Sequence, residues 1–174
     1  GDKTKLPYPK NYGFFSPDSR YLYSTDTPEN TVIIYNVIDK APHYSITNPT
    51  RVKTLRFSPD GKFVAISFRD KIVRLIDLAS KTQINSIPHK QQIKFADFTT
   101  DGKYLITASW EDNVIGVYSI VENKVIKAFT APVKSDIRLS SDGRFIILGP
   151  SKDKQGIISI IDLRDMLQKQ LDAD

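Results

Sequence analysis

Short apolar segments alternate with polar, turn-forming segments along most of this chain. The apolar segments are rich in β-branched and aromatic residues and are bounded by Gly, Pro, Asn and Asp, which predicts β-strands rather than helices. The predicted strands cover residues 12–15, 20–25, 31–37, 43–47, 51–57, 63–67, 72–78, 83–87, 92–98, 104–109, 114–120, 124–130, 134–139, 145–148 and 157–162.

Two of these segments, 63–66 and 104–108, are nearly continuous apolar runs. Such runs are typical of strands that are buried on both faces. The middle strands of a small sheet packed between two neighbouring sheets would have this environment. We therefore expect stacked sheets rather than one sheet with a solvated face.

A turn motif occurs four times, in the heptads 15–21, 57–63, 98–104 and 139–145. Its aspartates are Asp18, Asp60, Asp101 and Asp142, so the repeats are 42, 41 and 41 residues long. A period of about 40 to 45 residues fits a four-stranded propeller blade. Asp bonds its own backbone in such turns, and Gly supplies a positive φ. Ser19 replaces this Gly in the first copy, which predicts strain or another turn type there.

The strand pattern ends at residue 162, where a helical pattern begins. Apolar residues stand at 163, 166, 167 and 171, and Asp162 is placed to cap a helix. We expect a short helix that covers exposed sheet, with the start of a coiled coil as the alternative.

The predicted fold class is all-β: a β-propeller with about four four-stranded antiparallel blades and a short C-terminal helix. The units are a polar lead (1–11), four repeats (about 12–47, 48–87, 88–130 and 131–162, the last with three predicted strands) and the helix (163–174). Propellers have four to eight blades, and an open arc leaves apolar flanks in water. We therefore expect a partial propeller or half of a larger ring, completed by further sequence, a second copy or another protein.

Composition describes an ordinary soluble chain of 174 residues, 40% hydrophobic and 26% charged. The sequence contains no apolar run of 18 residues, so no membrane span is expected. The basic residues that give the net charge of +5 are scattered along the chain, which favours a solvated surface over a nucleic-acid site.

The lack of cysteine excludes disulfides and fits a cytoplasmic or nuclear protein without excluding a periplasmic or secreted one. Residues 1–7 lack an apolar signal core and resemble a trimmed or processed end.

Residue patterns that carry catalysis or bind cofactors are missing from the sequence. His43 and His89 lie on different repeats, without Cys or clustered carboxylates, so a metal or haem site is poorly supported. No nucleophile elbow, phosphate-binding Gly loop or paired catalytic carboxylates occur. The sequence therefore predicts no enzyme, no cofactor and no metal.

The repeats resemble WD40 repeats over residues 12–162. The positions of the family's Trp-Asp pair read Tyr35-Asn36, Ile76-Asp77, Tyr118-Ser119 and Ile161-Asp162, its Gly-His survives only as Pro88-His89, and its structural Asp falls on Asp70 and Asp112. Residues 74–78 and 160–163 also look like the bacterial repeats of YVTN propellers. Both families imply the same blade.

The WD40 resemblance implies a structural hydrogen-bond network in the third repeat. His89, Ser109 and Asp112 would occupy three of its four positions, and Tyr118 stands at the place of the tryptophan. A buried His that is held by a carboxylate satisfies polar groups that join a loop to a turn. We therefore expect His89 to be structural rather than catalytic.

The resemblance also implies a rim on which partners dock, formed by the loops after the second and fourth strands of each blade. Trp110 and Phe68 stand at matching places and are either binding hot spots or packed against their own blades. The predicted partner-binding residues are Phe68, Arg69, Lys71, Lys90, Trp110, Glu111, Lys134 and Lys152.

The sequence thus favours a protein–protein interaction scaffold within a larger assembly, bound to other proteins or to a second copy of itself. The alternative is part of a bacterial YVTN-like or cofactor-bearing propeller enzyme whose ligands lie outside this chain. A nucleic-acid binder is a third, disfavoured possibility, and no membrane partner is expected.

Overall fold

A computed structural model describes residues 11–26, 30–109, 113–131, 136–149 and 158–171. The strands of this part are β1 (Asn11–Phe15), β2 (Tyr21–Asp26), β3 (Thr31–Asn36), β4 (Ala41–Thr47), β5 (Val52–Phe57), β6 (Phe63–Phe68), β7 (Ile72–Asp77), β8 (Thr82–Pro88), β9 (Ile93–Phe98), β10 (Tyr104–Ser109), β11 (Val114–Ser119), β12 (Lys124–Thr130), β13 (Ile137–Leu139), β14 (Phe145–Leu148) and β15 (Ser159–Asp162), followed by helix α1 (Leu163–Leu171).

The described strands form four antiparallel sheets, each built from strands that follow one another in sequence. Three sheets have four strands (β1–β4, β5–β8 and β9–β12), and the last has three (β13–β15). We refer to these sheets as blades 1 to 4. The prediction of an all-β chain with about four antiparallel sheets and a short helix is confirmed; the exact division into units stays a prediction.

The core lies between the blades, in three clusters that each join one blade to the next. Val32 and Ile34 of blade 1 pack against Val64 and Ile66 of blade 2. Equivalent clusters join blade 2 to blade 3 and blade 3 to blade 4. The fold therefore depends on face-to-face packing of sheets.

The middle strands are buried on both faces, as their apolar runs predict. Strands β6 and β10 each have five consecutive buried residues after a half-buried first residue. Both strands lie between two neighbouring blades, which accounts for the loss of the usual alternation of apolar and polar residues.

The repeated turn is held by its own side chains. In blade 2, Ser58 Oγ donates to Asp60 Oδ1 (2.7 Å) and accepts from the backbone N of Phe63 (2.9 Å), while Asp60 Oδ1 also accepts from the N of Lys62 (3.1 Å). The same bonds recur in the turns that contain Asp18, Asp101 and Asp142. The turn is thus a rigid unit that fixes the register of the first two strands of each blade.

Ser19 adopts the same left-handed conformation as the glycines of the other turns. Its φ is 60°, against 68° for Gly61 and Gly102 and 70° for Gly143. The first turn is therefore of the same type as the others, and of the two predicted outcomes the structure shows strain, because a side chain at positive φ is sterically disfavoured.

Helix α1 packs on the outer part of blades 3 and 4. Leu163 is buried, and Met166 and Leu167 are half-buried against the cluster that joins these two blades. Asp162 Oδ1 accepts a hydrogen bond from the N of Arg164 (3.0 Å), so it caps the helix as predicted. Hydrogen bonds from Arg144 hold the pKa of Asp162 below its usual value, which keeps the cap ionised.

Replacing Ser19 with Gly is expected to stabilise the protein by about 0.5–1 kcal/mol, because Gly adopts a positive φ without steric strain. The greater conformational entropy of Gly in the unfolded chain offsets part of this gain. Gly102→Ser is the matched reverse change, because a Cβ at Gly102 meets only Pro59 Cδ at an ordinary 3.9 Å. Urea unfolding measures both variants. Equal stability of Ser19→Gly and the parent chain would contradict the account of strain.

Candidate functional site

Four exposed cations lie on loops that meet at one rim of blade 2: Arg51, Arg69, Lys71 and Lys90. Backbone hydrogen bonds tie these loops together, from the N of Arg69 to the O of Arg51 (2.9 Å) and from the N of His89 to the O of Lys71 (2.9 Å). We call these four residues the blade-2 rim. Arg69, Lys71 and Lys90 belong to the predicted partner-binding set.

No carboxylate of the described residues forms an ion pair with the cations of the blade-2 rim. None of its four cations forms an ion pair with any described residue. Asp70 stands between Arg69 and Lys71 in sequence, but its carboxylate binds Arg74 Nη2 (2.5 Å) and Asn48 Nδ2 (2.8 Å) instead. The charge of Asp70 is therefore directed inward, toward Arg74 and Asn48, and not toward the four cations of the rim.

Asp70 organises the base of this rim. Burial favours a higher pKa for its carboxyl group, but the hydrogen bonds from Arg74 and Asn48 outweigh burial and lower the pKa below its usual value. Asp70 Oδ1 also accepts from the N of Ile72 (3.3 Å), within the loop that contains Lys71. The ionised carboxylate therefore ties the loop between β6 and β7 to the loop that follows β4.

Phe68 does not line an exposed rim, contrary to the sequence-based expectation. Its side chain is 0% exposed and belongs to the cluster between blades 1 and 2. The guanidinium of Arg74 lies over its ring, with Cζ 5.3 Å from the ring centroid. Phe68 ends a strand that is buried on both faces, so it supports the rim from below and does not form part of its surface.

His89 lies at the junction of blades 2 and 3, where it joins a loop to β10. Its Nδ1 is hydrogen-bonded to Ser109 Oγ (3.3 Å) and its Nε2 to Thr107 Oγ1 (3.0 Å). Both hydroxyl residues are buried. This arrangement suits a structural histidine, because both ring nitrogens are used within the protein.

Tyr118 belongs to a different group of polar residues from the one expected. Its hydroxyl accepts from Asn85 Nδ2 (2.8 Å) and donates to Asn123 Oδ1. The strand register explains the difference: Tyr118 pairs with Leu105, four residues away from Ser109. At about 3.3 Å per residue, the hydroxyl is far from His89, and it connects β8 of blade 2 to the last turn of blade 3.

The remaining predicted site residues lie outside the described part of the chain. They are Trp110, Glu111, Asp112, Lys134 and Lys152. Their assignment to a rim or to the network of His89 stays a prediction.

Asn48 is a structural residue of the rim that sequence reasoning missed. Its Oδ1 accepts from the N and Oγ1 of Thr50, and its Nδ2 donates to Asp70. Asn48 stands 41 residues before His89. The backbone N of Asn48 donates to the O of Asn30 and the backbone N of His89 donates to the O of Lys71, and each acceptor lies in the loop after the second strand of a blade. The period of the repeat could have identified it as the counterpart of His89.

A second polar region lies where the innermost strands β5, β9 and β13 converge. A cavity of about 410 Å³ is lined there by residues that include Arg56, Asp97 and Arg138. Arg56 Nε lies 3.5 Å from Asp97 Oδ2. Burial raises the pKa of Asp97, although Arg56 opposes this effect. Within the described residues no three His, Cys, Asp or Glu side chains form a group that could hold a metal ion.

Comparison with protein families gives a match to the anaphase-promoting complex subunit 4 WD40 domain over residues 30–101. This range covers the end of blade 1, all of blade 2 and the first strand of blade 3. It therefore includes all four cations of the blade-2 rim.

Two relatives match longer stretches of the chain than the family model does. Apoptotic protease-activating factor 1 from Mus musculus is 34% identical over 92 residues, which are 51% of this chain and 7% of that protein. Centriole proteome protein 16 from Chlamydomonas reinhardtii is 28% identical over 118 residues, which are 67% of this chain and 6% of that protein. The chain thus spans only a small part of the length of these relatives.

Solved structures share the architecture at low sequence identity. A chain of hydrazine synthase from Kuenenia stuttgartiensis matches 94% of this chain with a TM-score of 0.71 at 18% identity, and the match covers 48% of that chain. The structure of U3-55K matches 90% of this chain with a TM-score of 0.65 at 14% identity, and the match covers 56% of the U3-55K chain. Both likenesses establish the β-propeller fold. The helix of the described part is too short and polar to cross a membrane.

Replacing His89 with Ala is expected to lower the stability of the protein by about 1–3 kcal/mol, because two buried hydroxyls lose a hydrogen-bond partner. Thermal unfolding measures this loss. The exposed neighbour Lys90→Ala is the control and should change stability little. A His89→Ala variant that unfolds like the parent chain would contradict the structural role of His89.

Asp70 is expected to make the rim sensitive to acid. Its folded pKa is lowered, so its stabilising effect is complete above the unfolded value of about 3.9 and disappears as the pH falls through the folded value. Urea unfolding of Asp70→Asn should show a loss of stability at pH 7 that shrinks toward pH 3.

Asp39→Asn is the control for this pH series, because Asp39 is exposed on a turn. Its effect should be small at both pH values. A stability difference between Asp70→Asn and the parent chain that stays constant from pH 7 to pH 3 would rule out the proposed coupling.

Proposed function

A WD40 domain model matches residues 30–101, and solved β-propellers share the fold of this chain. Because WD40 domains generally serve as protein-interaction modules, we propose that this chain is a WD40-repeat propeller and a non-catalytic scaffold that binds an acidic protein surface through the blade-2 rim. The observation that carries this proposal is a set of four exposed cations that have no ion-pair partner among the described residues, on loops joined by backbone hydrogen bonds. A second protein within a larger assembly would supply the acidic surface.

The charge of the rim supports a protein partner of opposite sign. Complementary charges at the edge of an interface accelerate association and select partners more than they increase affinity. Each exposed cation contributes little by itself, about 0–1 kcal/mol, but Arg51, Arg69, Lys71 and Lys90 act on the same partner. Binding through this rim should therefore weaken as the salt concentration rises.

The rim is also pre-organised. Asn48, Asp70 and Arg74 hold the loops from below, and Arg74 covers the buried ring of Phe68. Loops that are already fixed lose less conformational entropy when they bind. Asp70 takes part by orienting the loop, while Arg69 and Lys71 on either side of it carry the charge.

The enzyme alternative has no observation in its favour beyond a shared fold. The likeness to hydrazine synthase, at 18% identity, concerns architecture alone. Among the described residues that line the cavity near Asp97, the charged groups are two arginines and two aspartates, and none is a serine, cysteine or histidine. We therefore propose a binding module rather than part of an enzyme.

Reversing two charges of the rim, with Arg69→Glu and Lys90→Glu in one variant, is expected to abolish the capture of partner proteins that the parent chain binds. The tagged chain is incubated with nuclease-treated lysate of cells that make it, and captured proteins are quantified by mass spectrometry. The reversed pair should lose a set of acidic proteins by at least about tenfold, corresponding to about 1.4 kcal/mol.

The matched control is Lys62→Glu with Lys103→Glu, which changes the net charge equally on the repeated turns, away from the rim. It should retain the captured set, and raised salt should release that set from the parent chain. If both double variants capture the same proteins, the rim is not the binding site. Capture that disappears on nuclease treatment would instead indicate nucleic acid.

A further inference from the structure

The outward face of blade 4 presents apolar side chains to water at positions that are buried in every other blade. Ile158 is 59% exposed and Ile160 is 65% exposed. These residues lie on or next to β15, the last strand of the described sheet. Isolated exposed apolar residues are common, but here two neighbouring isoleucines stand out on one sheet face.

The strand registers identify the equivalent residues in the other blades. Ile160 pairs with Ile147 across β14 and β15, as Ile34 pairs with Tyr23, Leu75 with Ala65 and Val117 with Ile106. Ile158 precedes Ile160 by two residues. Its counterparts, two residues before Ile34, Leu75 and Val117, are Val32, Val73 and Ile115. All six counterparts of Ile158 and Ile160, namely Val32, Ile34, Val73, Leu75, Ile115 and Val117, are 0% exposed.

What covers these counterparts is visible three times within the chain. Val32 and Ile34 pack on blade 2, Val73 and Leu75 on blade 3, and Ile115 and Val117 on blade 4. In each case the cover is the next antiparallel blade. The exposed face of blade 4 therefore has the composition and geometry of a surface that receives a propeller blade.

Blade 1 presents an open site at the other end of the arc. Phe15 precedes the first repeated turn, as Phe57 and Phe98 precede the next two. Phe57 and Phe98 are buried at junctions between blades, with 9% and 6% exposed, whereas Phe15 is 57% exposed. Leu22 is half-buried where its counterparts Val64, Leu105 and Ile146 are 0% exposed.

The two open faces also show that blades 1 and 4 do not close on each other in this structure. A closed ring of four would bury Phe15 and Ile160 together, as the internal junctions bury their counterparts. The described arc corresponds to about half of the solved propeller chains, 48% for hydrazine synthase and 56% for U3-55K. Two such arcs would hold about eight blades, which is within the range of known propellers.

We propose that the outward face of blade 4, centred on Ile158 and Ile160, docks on blade 1 of a second copy of this chain. The contact is head-to-tail, and two identical contacts close a ring by twofold symmetry. Each contact repeats the packing of the internal junctions and uses a surface distinct from the blade-2 rim. A dimer that fails to form would therefore leave the proposed rim function unaffected, and loss of rim binding would leave the dimer unaffected.

The test is the solution mass of the chain by gel filtration with light scattering over a range of concentrations. The parent chain should have twice the mass of one 19.7 kDa chain. Ile160→Lys and Phe15→Lys should each raise the dissociation constant of the dimer by at least about tenfold, because a charge would be buried in the contact. Val121→Lys, at a turn residue that is 87% exposed, is the control and should leave the dimer intact.

Mixing the two interface variants distinguishes the head-to-tail contact from other arrangements. One contact of a mixed pair joins two unaltered faces, so the mixture should contain a dimer at a concentration at which each variant alone is monomeric. If Phe15→Lys leaves the dimer intact, blade 4 pairs with blade 4 and the proposal is wrong. A parent chain that stays monomeric at high concentration also overturns it, because another polypeptide would then cover the face of blade 4.

Discussion

Packing of one sheet against the next is the constraint on which the rest of this structure depends. A single four-stranded antiparallel sheet of this chain has apolar residues on both faces, so it cannot be stable in water as one layer. Burial of a Val, Leu or Ile side chain contributes about 1.5–3 kcal/mol, and each junction buries several of them. The strands, turns and rim loops take their positions from these junctions.

Much of the fold follows from the sequence because its signals are local and repeated. The turns at Asp18, Asp60, Asp101 and Asp142 give the period, and apolar runs such as 104–108 give the middle strands. The solved propellers confirm the predicted fold, and the WD40 domain model that matches residues 30–101 agrees with the predicted family. The C-terminal helix was predictable because Asp162 provides a cap and the apolar residues after it change to helical spacing.

The site was less predictable because it depends on contacts between blades. Phe68 looks like a rim aromatic in sequence, but it ends a strand with two buried faces. Tyr118 stands at the expected family position, yet its register and the length of its ring direct the hydroxyl to Asn85 and Asn123. Asn48 carries no motif of its own, and only its spacing from His89 could reveal it. These outcomes depend on the registers and packing of neighbouring sheets, which no local pattern contains.

The central claim is that the protection of a strand's amide hydrogens against exchange with solvent depends on how many faces of the strand are covered by another blade. Native-state hydrogen exchange on the Ile160→Lys variant, in which the outward face of blade 4 stays open, tests this claim directly. The account predicts that β6 and β10, covered on both faces, exchange most slowly and that β14 and β15 exchange much faster. Equal protection of β10 and β14, which each pair with a strand on both sides, would contradict it.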